Sequence, residues 1–321
     1  MKIIVLQVAI ISMFIAGFAA IDAPKPVIFG ENVISTENDE SGATFTPDGK
    51  TCYFTIKSPS TISSNIFIIC VSRFKNGRWS PPEIASFSGR YKDLNPSISP
   101  DGSKLFFVSN RPFDGKARPG AHLWVAERSG EGWSEPKNIG APINTSGGEL
   151  GCSATRNGTL YFSATGADGV PHIFCSKFSN GKYQKPDTLT GAINSVYGEN
   201  DPFIAPDESY ILYSSRGRPD ALNAPGASIS YPRSDLYISY RKNGQWTAAK
   251  SLGPAVNSAA DESCPYVSRD GKTLFFTSER NFVTIPMKKR LNYASLEQQL
   301  HWPGNGLGDI YQVPTSVFMD K

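Results

Sequence analysis

Apolar and polar residues alternate along this chain in short paired runs, and the pair recurs five times. The clearest copies are NPSISPDGSKLFFVSNR (Asn95–Arg111), DPFIAPDESYILYSSR (Asp201–Arg216) and CPYVSRDGKTLFFTSER (Cys264–Arg280). Looser copies are ATFTPDGKTCYFTIK (Ala43–Lys57) and CSATRNGTLYFSAT (Cys152–Thr165). Each is an alternating run, a tight turn at Asp-Gly or its equivalent, and a second alternating run, which predicts a β-hairpin. A third run follows each hairpin, starting at Asn65, His122, His172, Asp235 and Asp309. Next come turns at Asn76-Gly77, Gly130–Gly132, Asn180-Gly181 and Asn243-Gly244, where Asn-Gly favours a two-residue hairpin turn. Fourth runs carry Trp79, Trp133, Tyr183 and Trp246 at matched places, with Pro82, Pro136 and Pro186 close behind. Proline cannot donate to a ladder, so this fourth strand is predicted at the sheet edge.

Hairpin pairs recurring every ~50–60 residues predict sheets stacked radially, as in a propeller. The fifth unit ends at QVPTSVFMDK without a fourth run, whereas PKPVIFGENVIST from Pro24 matches GWSEPKNIGAPINTS: Pro26 takes the place of Pro136, and Gly30 that of Gly140. The N-terminal strand is therefore predicted to complete the last blade and close the ring. The expected fold is all-β: a five-bladed β-propeller of four-stranded antiparallel blades.

The PDG-K-x-L-x-F-x-S-x-R phrase followed by a D-I-Y strand resembles the WD-repeat-like propeller repeat of the TolB-type family. The resemblance covers nearly all of the chain after its first twenty or so residues. It implies a propeller and leaves activity open, because that repeat occurs in scaffold proteins, peptidase gating domains and polysaccharide-active proteins. Relatives with this repeat often dock peptides or proteins at the channel mouth.

Met1–Ala20 begins with a lysine, runs apolar from Ile3 to Phe18 and ends in small residues. This reads as a secretory signal, with cleavage expected after Ala19 and residues 20–321 forming one propeller domain. The other reading is an uncleaved anchor, for which the run is just short of a membrane span. Export places the protein in the periplasm or outside the cell. A net charge of +3 argues against a dedicated nucleic-acid binder. With 29 glycines and 24 prolines the composition fits a turn-rich β protein. No zinc-type cysteine spacing occurs, and no cofactor is expected. Cys52 and Cys70 fall on neighbouring predicted strands. They read either as a cross-strand disulfide or as separate thiols, with Cys52 a small core residue in place of leucine.

In an antiparallel blade the Asp-Gly and Asn-Gly turns share one end, and the longer, variable connections share the other. Binding residues are expected among the variable loops. Eight residues before each hairpin-turn Asp or Asn stands a carboxylate: Glu40, Asp93, Glu149, Glu199 and Glu262. Three hairpins end in serine and arginine, giving Arg111, Arg216 and Arg280. Arginine–carboxylate pairs that tie the repeat together are one reading, and a ring of ligand-binding groups at the channel mouth is the other. Blades 1 and 3 lack the arginine, so Glu40 and Glu149 are expected to be unpaired. His122 and His172 replace the Asp or Asn of other blades and suggest either backbone capping or a metal pair. The long loops 112–121, 217–233 and 281–308 bring Lys116, Arg118, Arg218, Arg233, Lys288, Lys289 and Arg290 to the same face. In the last loop Tyr293–His301 is predicted to be a short helix, and Trp302 an exposed aromatic platform.

The chain has no G-x-S-x-G elbow, no H-E-x-x-H and no phosphate-cradling loop. The preferred expectation is an exported, non-enzymatic binding module of the bacterial cell envelope, a monomer whose partner is an envelope protein, an acidic glycan or peptidoglycan. The alternative is a glycosidase or polysaccharide lyase with carboxylates at the channel mouth, Glu40 and Glu149 first among them.

Overall fold

A computed structural model describes residues 24–58, 65–116, 120–145, 148–189, 191–222, 233–281, 287 and 289–319. The expected signal segment, Arg118 and Lys288 lie outside these residues. Five antiparallel sheets form the blades of one propeller. Strands a, b and c of blade 1 are Asp39–Phe45, Thr51–Lys57 and Phe67–Lys75; those of blade 2 are Asp93–Ile98, Lys104–Ser109 and His122–Ser129. Blade 3 has Glu149–Ala154, Leu160–Thr165 and Pro171–Ser176; blade 4 has Glu199–Ile204, Tyr210–Arg216 and Ser234–Lys242. Blade 5 has Glu262–Val267, Thr273–Ser278 and Asp309–Pro314, and Val27–Ile28 pairs with its strand c. The N-terminal segment thus supplies the fourth strand of the last blade, and the ring closes.

Strand periodicity explains the core. In strand b of blade 1, Cys52 and Phe54 face blade 5 while Tyr53 faces blade 2. In blade 2, Leu105 and Phe107 face blade 1, and Phe106 and Val108 face blade 3. Alternate residues enter opposite seams, so both faces of each sheet are apolar. Every seam has its own buried cluster, including the seam between blades 5 and 1, where Phe29 and Ile34 join Phe54, Phe275 and Ile310.

Two local expectations need correction, and the cysteines follow the second of their two readings. The fourth strand is split in each of blades 1–4, as Arg78–Trp79 and Glu83–Ile84 in blade 1 and as Gln245–Trp246 and Lys250–Ser251 in blade 4, where no proline intervenes. In blade 1 the counterpart of His122 and Asp309 is Ile68, not Asn65: Ile68 lies opposite Ile56, which lies opposite Glu40. Cys52 lies opposite Ser72 and Cys70 opposite Phe54, so the two thiols are diagonal neighbours and both are free. Diagonal pairs lie about 7–8 Å apart, beyond the reach of a disulfide.

Candidate functional site

Each predicted carboxylate opens an inner strand on the loop-rich side of the ring, and all five are buried. They lie inside the seams between blades. Ser195 donates to Glu199 through its backbone N at 2.9 Å and its hydroxyl, and Ser258 treats Glu262 likewise. Thr36 caps Glu40 in the same way, at 3.0 and 2.6 Å. One residue earlier, Asn144, Asn194 and Asn257 accept the backbone N–H of Leu123, Ile173 and Leu236 on strand c of the preceding blade. The short segment before each inner strand is therefore a wedge that stitches one blade to the last and caps the carboxylate of the next.

Arginine completes two of these wedges. Arg111 pairs with Asp93 at 2.8 Å and also donates to the Phe87 carbonyl at 2.9 Å. Arg280 pairs with Glu262 at 3.2 Å and donates to the Val256 carbonyl at 2.7 Å. Arg216 behaves differently: it directly follows Ser215, whereas Arg111 and Arg280 stand two residues after their serines. Strand side chains alternate, so this one-residue offset sends Arg216 away from Glu199 and toward Asp261, 3.9 Å away.

Glu40 and Glu149 are not unpaired. Glu40 is held by Thr36, and Glu149 meets the His122 ring at 3.1 Å and the Thr145 N–H at 3.4 Å. Burial raises Glu40 to about 7, with Asp309 and Asp39 adding to the effect; burial also raises Glu149, opposed by His122. The histidines do not form a metal pair. His172 bonds Asp168 at 3.0 Å and lies 3.6 Å from Glu199, in a different seam from His122. Among the described residues no three His, Cys, Asp or Glu side chains are grouped to hold a metal.

Sequence reasoning missed the channel itself. Two residues after each carboxylate the inner strand bulges, and Gly42, Asn95, Gly151, Asp201 and Cys264 meet there. Asn95, Asp201 and Cys264 hold left-handed φ values of 52°, 50° and 49°. Asn95 reaches across, donating to the Leu150 carbonyl at 2.6 Å and to Asp201 Oδ1 at 3.4 Å, while the Cys264 thiol points to Asn95 Oδ1 at 3.8 Å. Gly42, at φ +66°, and Gly151 stand beside this bridge, each with its Cβ position 3.4 Å from the Asn95 side chain. The remaining cavity is about 50 Å3, and Asp201, whose carboxyl is raised by burial, is its one carboxylate among the described residues. The signal was present in the sequence as the residue preceding each proline of NP, DP and CP, but nothing along the chain showed that these residues converge.

On the loop-rich face the predicted helix forms over Tyr293–Leu300, capped by the Asn292 side chain on Ser295 N. His301 contacts Glu37 at 2.6 Å, and Trp302 donates to Glu31 at 3.2 Å, so the loop leans on the N-terminal segment. Lys116, Lys289 and Arg290 are exposed. Arg218 and Arg233 are already engaged, by Asp220 at 3.3 Å and by Asp261 at 2.7 Å.

No protein-family model matches the chain, and no curated protein matches it in sequence. Solved structures do match. One is a protein of Agrobacterium tumefaciens described as TolB: identity is 15%, 86% of this chain and 90% of that one are covered, and the TM-score is 0.48. A thermostable family-43 glycoside hydrolase is 13% identical over 89% of this chain and 92% of that one, with a TM-score of 0.50. The catalytic domain of a Coprinopsis cinerea GH62 α-L-arabinofuranosidase is 11% identical over 91% and 96%, with a TM-score of 0.48. At such identities the likeness is one of fold.

Proposed function

We propose that this protein is an exported, non-enzymatic propeller with TolB-type repeats that holds a protein of the bacterial cell envelope at its loop-rich face. The observation that carries this reading is the helix Tyr293–Leu300, which buries none of its residues. Tyr293 is 76% exposed, Leu300 53% and Trp302 44%, with Leu296 and Leu307 beside them. A helix of this length is marginal by itself, and a cluster of exposed apolar side chains marks a contact surface. Lys289 and Arg290 at its edge favour a partner carrying carboxylates and would steer its approach. Lys288, in the same run, is proposed to share that role.

Glycoside hydrolysis needs two carboxylates about 5–10 Å apart and open to the sugar. The five repeat carboxylates are buried in the seams; Glu149 borders a cavity in blade 3, but no second carboxylate lines it among the described residues, and the bridged channel has room for little more than one or two waters.

The test is cross-linking in an envelope extract of the intact protein and of a Tyr293→Ser, Leu300→Ser, Trp302→Ser variant. One discrete protein partner is expected on the intact chain and lost on the variant, with an unchanged circular dichroism spectrum. Hydrolysis of any acidic or neutral polysaccharide, abolished by Glu40→Gln or Glu149→Gln, would overturn the reading.

A further inference from the structure

The arginines of blades 2 and 5 lie in matching cradles. Arg111 stacks on Phe107 at 4.8 Å and Trp124 at 5.3 Å while bonding Asp93 and the Phe87 carbonyl. Arg280 stacks on Phe276 at 5.4 Å and Tyr311 at 4.7 Å while bonding Glu262 and the Val256 carbonyl. Each cradle thus has two rings from strands b and c, the inner-strand carboxylate, and the carbonyl six residues before it.

Blade 3 retains these four parts but has Ala164 in place of Ser109 and Ser278, which accept from Nε of Arg111 and Arg280 at 3.0 and 2.9 Å, and its Glu149 also meets His122. Pairing sets Glu149 opposite Ala164 and Ala164 opposite His172, so Phe162, Phe174 and Ile143 occupy the places of Phe276, Tyr311 and Val256. Phe162 and Phe174 lie 5.7 Å apart at 25°, close to the 5.9 Å and 31° of Phe276 and Tyr311. The arginine's position is Gly166. A Cβ there would lie 2.7 Å from the His172 ring and 2.8 Å from the Asp168 carboxylate, so the chain cannot supply the missing side chain from this place. What remains is a cavity of about 340 Å3 lined by Ile143, Glu149, Phe162, Ala164 and Phe174, with Thr145 and Lys185 among its exposed lining residues.

The other two blades fill or remove the cradle. In blade 4 the matching residue is Gly217, but Arg218 lies over Tyr237 at 4.5 Å. In blade 1 Ile56 and Cys70 replace the serine and the strand-c ring with apolar packing, beside the retained Phe54 and Glu40.

We propose that the blade 3 cavity is a binding site for an alkylguanidinium group, such as the end of an arginine side chain. The rings supply a cation–π face, Glu149 a charge-assisted acceptor and the Ile143 carbonyl a second acceptor, as their counterparts do for Arg111 and Arg280. The site is large enough for the group and part of the chain that carries it. It is separate from the exposed helix, and its failure would leave the envelope-protein reading standing.

Nuclear magnetic resonance titration of the full chain tests it, with N-acetyl-arginine methylamide and ethylguanidinium as probes and the citrulline counterpart as the neutral control. Saturable binding of the arginine probe is expected, with shifts centred on Phe162, Phe174 and their neighbours, and binding at least about tenfold weaker for citrulline. Tighter binding of the peptide-like probe than of ethylguanidinium identifies a polypeptide-borne arginine as the source, and the reverse identifies a small free guanidine; both outcomes uphold the site. Glu149→Gln should weaken binding about tenfold or more. Because Glu149 also holds a seam, Thr145→Trp serves as the second variant: it blocks the mouth from an exposed position and should abolish binding in a fully folded protein. Absence of saturable binding by either cation, equal binding of citrulline, or undiminished binding in Thr145→Trp would each overturn the proposal.

Discussion

The seam between blades 1 and 2 and the seam between blades 5 and 1 solve one problem in opposite ways. Both bury a carboxylate at the start of an inner strand. At the first, Asp93 meets the guanidinium of Arg111, and the facing residue on strand c is Ile68. At the second, Glu40 has Thr36 as its cap, Ser58 stands where an arginine would be, and the facing residue is another acid, Asp309. One buried acid meets a cation, and the other takes up a proton more readily than it would in water. Burial holds Glu40 and Asp309 each at about 7. The repeated acid is a keystone of the ring, and its partner is free to vary from seam to seam.

The harshest way to break this comparison is to remove one seam. Deleting residues 24–36 takes away the closing strand Val27–Ile28, the buried Phe29 and Ile34, and the Thr36 cap of Glu40. Losing two such buried side chains costs about 3–6 kcal/mol before the strand pairing is counted. Thermal melting should show loss of the cooperative transition or a fall of more than 10 °C or so. A truncated chain that melts like the intact one would refute closure by this segment.

Removing the cation from the other seam should cost nearly as much. Arg111→Met leaves Asp93 buried without its partner, a change worth about 3–5 kcal/mol. Adding Asp93→Asn to the same chain removes the stranded charge and should restore part of the loss in urea denaturation. If the double variant is no more stable than the single one, Arg111 acts through its stacking on Phe107 and Trp124 and not through its charge.

The proton-held seam responds to pH instead. Glu40 and Asp309 are raised above their ordinary values of 4.5 and 3.8 by burial, with nearby Asp39 adding to both and Asp309 adding to Glu40; Asp39 is itself paired with Lys57 at 3.0 Å. The folded protein therefore binds these protons more tightly than the unfolded chain. Their contribution is complete below the ordinary values and is lost as the pH rises through about 7. Between pH 5 and 9 the loss from Glu40 alone is on the order of 3 kcal/mol. Denaturant midpoints across that range should fall for the intact chain, fall less steeply for Glu40→Gln, in which Asp309 still titrates, and flatten for Glu40→Gln with Asp309→Asn. A midpoint that rises with pH would contradict the proton-held seam.

Fold and site differed in how plainly the sequence spoke. Alternation with period two recurs in all five blades and proline in the outer strand of four, and a fourth run missing only at the C-terminus points to closure, so the ring follows from local rules that agree. The site depends on parity and depth, which a repeat does not display. Arg216 looks like Arg111 until its one-residue offset is counted, and that offset alone turns it toward Asp261. Glu40 and Glu149 looked vacant because only arginine was considered as a partner, while Thr36 and His122 do the work. The bridge of Asn95 to Asp201 joins residues 106 apart in sequence, and no local rule reaches that far. The blade 3 cradle was legible in principle: aligned on Ala164, the arginine position is visibly Gly166.

The smallest expected effect concerns the thiols at the closing seam. Cys52 and Cys70 both face the cluster between blades 5 and 1, with Cys52 fully buried and its thiol pushed well up by desolvation. The register sets them two residues out of opposition, so joining them would require one strand to slide by two residues, which keeps each side chain on its face but shifts every cross-strand pair of this hairpin. They act as small core residues, one of them where blades 2 and 5 carry Leu105 and Leu274. Treatment with a reductant should shift the melting temperature by less than about 1 °C. Alkylation after unfolding, without reduction, should modify both cysteines as read by mass spectrometry. A mass two units lower, with both thiols protected, would mean that the strands pair in another register and that the closing seam is built differently from the other four.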